Sequence, residues 1–244
     1  MKKFIFGIIA LVVAGAIWVL SRENSCSSES AQNEGEMIPR VDSKKTNLKE
    51  AKTTFEMMES LEWIYKDVTK KVAEDTKRVL GSDSGFIKEV EAWEEVYNLL
   101  NEFCVDAVHI GWYGGSGCSL MMRAMRGDVL DIRAKDLSRI IQLNGGKDPA
   151  SNEMVEYKRK ELCRILDLAS ETLIPPEWLR EIPEEGIDEY KKLYNRTQKD
   201  YKLLPAAIEK WIATRDTRYN GCTAIALDDM KDAVNVTLYI YEEE

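Results

Sequence analysis

The chain has 244 residues, with 34 Lys or Arg against 43 Asp or Glu and a net charge of −9. An acidic surface repels phosphate backbones and anionic bilayers, which argues against a nucleic-acid binder or a membrane-surface binder. It suits a cationic partner, and it also keeps a protein soluble.

Lys2 and Lys3 precede an unbroken apolar run from Phe4 to Leu20, the form of a secretory leader. Residues 1–20 are therefore expected to act as a signal peptide or signal anchor and to export the rest to the periplasm or cell surface. Ala14-Gly15-Ala16 offers a small-residue cleavage site, and Val19-Leu20-Ser21 offers a second. Left uncut, the 17 apolar residues would extend about 25 Å as a helix, enough for a thin bilayer. Membrane contact is expected only through this segment. Cys26 follows Glu23-Asn24-Ser25, which is not the apolar, small-residue box of a lipidation site. Residues 21–46 are rich in Ser, Glu, Asn and Lys and poor in large apolar side chains, so they read as a disordered linker. The first 26 residues carry Lys2, Lys3 and Arg22 against Glu23, which leaves the remainder at −11.

From Asn47 to about Leu80, Leu48, Ala51, Phe55, Met58, Tyr65, Val68 and Val72 recur at helical intervals. Gly81 to Gly85 breaks the pattern, and Phe86, Val90, Trp93, Tyr97, Leu100, Cys104 and Val108 resume it to about Ile110. The glycine-rich loop Gly111 to Gly117 follows, with Ser116 or Ser119 expected to cap the next helix. That helix carries Leu120, Met125, Val129, Ile132 and Ile140, and Gly145-Gly146 is its stop signal. Asp148-Pro149 reads as an N-cap and first-turn proline for a fourth helix through Val155, Leu162 and Ala169, ended by Pro175-Pro176. A fifth should start near Pro183 and run through Tyr190, Tyr194 and Tyr201, with Pro205 ending or restarting it. Ala206 to Tyr219 is again helical, Asn220-Gly221 punctuates, and a last helix runs from Thr223 to about Ala233. The β-branched stretch Val234 to Tyr241 suits either a strand or a ragged helix. The expected fold is an all-α antiparallel helical bundle of two similar halves, 47–146 and 147–244.

Little of the sequence carries chemistry. His109 is the single histidine and sits on an apolar helix end, so a structural role fits it best. The acidic pairs, such as Glu94-Glu95 and Asp228-Asp229, suit solvated faces. Cys104, Cys118, Cys163 and Cys222 could pair as disulfides in three ways once exported. Their spacing lacks the clustered Cys and His ligands of a zinc site, so neither metal nor cofactor is expected. The loop Trp112, Tyr113, Gly114, Gly115 and Ser116 places two large amphipathic rings beside flexible glycines, a suitable contact for a protein partner.

The stretch YKKLYNRTQKDYKLLPAAIEKWIATRDTRY, from Tyr190 to Tyr219, resembles the LprI-type lysozyme-inhibitor domains in its Tyr-Lys start and its Trp-x-x-x-Arg-Asp helix. Trp211, Arg215 and Asp216 are the matching positions. The family's Gly-Gly-Ser turn and following helix find their likeness earlier, in WYGGSGCSLMMRAMRGDVLDIRAKDL, where Gly114, Gly115 and Ser116 lead to Val129, Arg133 and Leu137 after Trp93. Trp93 and Trp211 each precede a cysteine by eleven residues, which suggests a degenerate tandem copy. The second half has no Gly-Gly-Ser turn after Cys222. The resemblance implies a small exported helical protein, often disulfide-bonded, that binds lysozyme. Tryptophan and arginine four residues apart share a helix face on which guanidinium can stack on indole, so Trp93, Arg133, Tyr190, Trp211, Arg215 and Asp216 are expected to be structural. The expected function is a non-enzymatic envelope binding protein that inhibits a basic lysozyme or related cell-wall hydrolase. The alternative is an envelope scaffold with no enzyme target.

Overall fold

The computed structural model describes residues 53–111, 117–148, 150–173 and 184–242. The leader, the linker, the expected helix start at Asn47, the loop Trp112 to Ser116, Pro149, Pro175-Pro176 and Pro183 lie outside them. By its contacts the chain forms two units, 1–61 and 62–244. Six α-helices make up the described residues, with no strand among them: α1 (Thr54–Ser82), α2 (Ile87–Gly111), α3 (Cys118–Leu143), α4 (Asn152–Thr172), α5 (Glu184–Thr214) and α6 (Asn220–Glu242). The fold is all-α, as its periodicity implies. No helix among the described residues is long and apolar enough to cross a membrane.

The helix ends follow local chemistry. Thr53 and Glu56 form a reciprocal capping box at the start of α1, the Thr53 hydroxyl accepting from Glu56 N at 3.2 Å and Glu56 Oε2 from Thr53 N at 3.0 Å. Asp83 caps the 3-10 turn Ser84–Phe86 that leads into α2. The N-cap of α3 is Gly117, without a side-chain cap bond, and Ser119 lies inside the helix, so its expected capping role is not taken up. Asn144 ends α3 at φ 46°, and Gly145 follows at φ 81°, a left-handed exit that glycine takes at no steric cost.

Three expectations need correcting. The cap of α4 is Ser151, whose hydroxyl accepts from Met154 N at 3.3 Å. Asp148 serves α6 instead: its backbone N–H donates to Arg218 O at 2.9 Å, and its carboxylate lies against Gly221 and Cys222 in the first turn of that helix. There the helix dipole favours a negative charge. Pro205 does not end α5, which runs through it. The missing N–H removes one rung, but Leu204, Ala207, Ile208 and Trp211 are all buried, so packing holds the segment in register. The real break falls after Thr214, where Asp216 caps the 3-10 turn Thr217–Tyr219. Finally, Asn220-Gly221 does not interrupt the chain ahead of a helix at Thr223 but opens α6, which continues through Val234 to Tyr241 as helix, one of the two forms open to that stretch.

Helices consecutive in the chain run antiparallel. α2 and α5, which pack most extensively, are also antiparallel, since Glu95 meets Lys210 while Asp106 meets Arg196. α4 and α6 are parallel, because Asn152 meets Asn220 and Lys158 meets Asp228 in the same order. One core runs through both halves of the chain, from Ala92, Val96, Leu100 and Phe103 on α2 to Leu162 and Leu166 on α4, Ile208 and Trp211 on α5 and Leu227 and Met230 on α6. Smaller clusters flank it: Val79, Phe86, Leu137, Ile140, Tyr219 and Cys222 on one side, and Ala107, Ile110, Leu173, Tyr190 and Leu193 on another.

Candidate functional site

Four charged side chains lie at the heart of the bundle, each at most 2% exposed in its side chain: Glu89 on α2, Arg133 and Asp136 on α3, and Arg215 just past the end of α5. Glu89 accepts from Arg133 through both oxygens, at 2.8 and 2.6 Å, and from Arg215 Nη1 at 3.1 Å. The indole N–H of Trp211 adds a fourth bond to Glu89, at 2.6 Å. Asp136 receives Arg215 bidentately at 2.8 Å on each oxygen and Arg133 at 3.0 Å. Arg215 Nε donates to the Thr223 hydroxyl at 2.9 Å, which in turn donates to Tyr219 O at 2.8 Å. Two positive and two negative groups thus neutralise one another away from water, where pairing of this quality is required to offset desolvation.

Aromatic rings wall the node. Arg133 lies over Trp93 at 5.1 Å and Phe86 at 5.5 Å, and Arg215 over Trp211 at 5.0 Å and Tyr219 at 5.9 Å. The two indoles meet edge-on with centroids 5.2 Å apart, and Phe86 meets Tyr219 edge-on at 6.3 Å. Each half of the chain therefore supplies a tryptophan, an arginine and a second ring, while both acids come from the first half. Burial pushes the Glu89 carboxyl up, but Arg133 and Arg215 outweigh it and hold it below the usual carboxylate range. Burial also opposes the charge of Arg215, and Asp136 and Glu89 more than restore it.

Of the residues expected to be structural, Trp93, Arg133, Trp211 and Arg215 come together here. Tyr190 is fully buried but belongs to the satellite cluster beneath Leu173. Asp216 stays outside the node and pairs with Arg218, accepting from its backbone N–H at 2.8 Å and its Nε at 3.0 Å. Arg215 is oriented by Glu89 and Asp136 instead. Those two acids, with Thr223, Phe86 and Tyr219, are the members that sequence reasoning missed. The only signal was their spacing, with Glu89 four residues before Trp93 and Asp136 three after Arg133. On so acidic a chain that spacing looks like any solvated face.

Cys104, Cys118, Cys163 and Cys222 stand as free thiols, all but Cys163 buried. Burial raises the pKa of each, that of Cys222 to about 11, which makes them poor nucleophiles. His109 lies in the last turn of α2. Among the described residues no group of His, Cys, Asp and Glu is arranged to hold a metal ion.

A groove of about 580 Å³ lies between α2 and α5. Its α2 wall carries Glu91, Glu94, Glu95 and Asn98; Leu99, Leu203, Ala206 and Ala207 form its apolar lining. Lys210 also lines it and is paired with Glu95 at 2.6 Å. A smaller hollow of about 250 Å³, lined by Asp83, Gly85, Phe86, Thr214, Arg215 and Asp216, opens beside the node.

Comparison with known proteins gives no match to a family model, to a curated protein or to a solved structure.

Proposed function

We propose that the chain is an exported envelope protein that works by binding, with a basic lysozyme-type cell-wall hydrolase as its partner and inhibition as the consequence. One observation carries this reading. Trp93, Arg133, Trp211 and Arg215, four of the positions that carry the resemblance to LprI-type inhibitors, are assembled with two acids into a single buried framework, with Asp216 outside it. A motif spent on the framework leaves partner contact to the surface. The node's hydrogen bonds are spent within it, so it offers no ready group for proton transfer to a substrate, which favours binding over catalysis. The net −11 of the exported part provides attraction to a cationic enzyme. The loop Trp112 to Ser116 remains a proposed contact and lies outside the described residues.

The test is cell-wall lysis by lysozyme with the mature protein in excess. Slowed lysis supports the reading, and an unchanged rate defeats it.

A further inference from the structure

Helices α2 and α5 are tied to each other on either side of the groove. The Glu89 to Trp211 bond pins the helices at one end, and Asp106 with Arg196, bidentate at 2.5 and 2.7 Å, pins them at the other. Between these anchors the small side chains of Ala206 and Ala207 open a channel with Leu99 and Leu203 along it, and Leu203 is 46% exposed. From Glu91 to Leu99 the channel is about 12 Å long, two turns of helix. Glu95 is neutralised by Lys210, whereas Glu91 and Glu94 form no ion pair with a described residue. A preformed channel loses little ordering entropy on binding.

Both walls are helical, with their backbone hydrogen bonds closed internally, so recognition must run through side chains and not by strand addition. The channel is also too open to enclose a small molecule. We propose that it docks a basic amphipathic helix of a protein partner. The partner's apolar face would lie on Leu99, Leu203, Ala206 and Ala207, and its lysines or arginines against Glu91 and Glu94. This rests on the binding reading above and supplies its contact face.

The full chain is titrated against a fluorescently labelled amphipathic peptide of leucine and lysine, and against the same peptide with glutamate in place of lysine. The groove variant is Glu91→Lys with Glu94→Lys. A control with the same change of charge, Asp188→Lys with Glu189→Lys, lies on an exposed face elsewhere on α5. Thermal unfolding of both variants checks that they keep the fold. The groove variant is expected to bind the Leu/Lys peptide about tenfold more weakly, with the control close to the parent and the glutamate peptide unbound. No binding by the parent, equal weakening in both variants, or no weakening in the groove variant overturns the proposal. The lysis assay separates the two readings. Groove-dependent peptide binding by a chain that leaves lysozyme active defeats the hydrolase as partner and keeps the groove. Inhibition that survives in a groove variant unable to bind peptide keeps the hydrolase and overturns the groove as its contact.

Discussion

The indole N–H of Trp211 donates to Glu89 at 2.6 Å, tying the end of α5 to the first turn of α2 across 122 positions of sequence. Through Glu89 the same bond reaches Arg133 and Arg215, and through them Asp136 and Thr223, so α2, α3, α5 and α6 meet at one point.

Removing one member of this node leaves buried charge without its partner. Glu89→Gln is expected to cost about 3 to 5 kcal/mol, measured by urea unfolding. Glu62→Gln, which breaks only exposed pairs with Lys66 and Arg123, should cost under about 1 kcal/mol. A well-packed apolar replacement of Glu89, Arg133, Asp136 and Arg215 together should cost less than the single change.

The node also gives the stability a direction with pH. The Glu89 carboxyl is held below its ordinary value of 4.5 in the folded chain. Its contribution is therefore complete above about pH 4.5 and is lost as pH falls through the lower folded value. Unfolding followed between pH 7 and pH 2 should show that loss in the parent, and the Gln variant should lack this part of the slope.

Asp200 works in the opposite sense. It is 5% exposed, its Oδ2 is buried without a hydrogen bond, and burial, then Glu102 and Asp106, raise its pKa. A raised carboxyl favours the folded state when protonated and weakens it as pH rises through the folded value. Asp200→Asn is expected to gain about 1 kcal/mol at pH 7 by removing the charge. The gain should vanish below the unfolded value near 3.8. Thermal unfolding at pH 7 and pH 3 checks both parts.

Pro205 is held inside α5 by its buried neighbours at the expense of a backbone bond. Pro205→Ala restores the donor to the Tyr201 carbonyl and should stabilise the chain by about 1 to 3 kcal/mol. A loss of stability would mean that a kink at this position is needed by the packing against α2.

Period and punctuation made most of the helices legible. Trp93, Leu100 and Val108 repeat at helical spacing and are all buried, and Gly145 marks the turn where the sequence places it. Pro205 misled because propensity is local, whereas the burial of Ile208 and Trp211 is tertiary. Asp148 misled because a carboxylate settles at whichever helix start comes near, and the end of α3 brings it against Gly221 and Cys222 of α6. Trp211 and Arg215 could be read as a stacked pair from their spacing alone. Their convergence with Trp93 and Arg133 depends on the antiparallel register of α2 with α3 and α5, which no window of sequence contains. The acids that complete the node were hidden for a simpler reason: among 43 Asp and Glu residues, Glu89 and Asp136 carry no local mark of burial.

Calorimetric titration of lysozyme into the exported protein, at low and at physiological salt, tests the binding reading most directly. Saturable binding that weakens as salt rises is predicted, because the attraction runs between an acidic surface and a basic enzyme. No saturable heat at either salt concentration, or an affinity indifferent to salt, would contradict it.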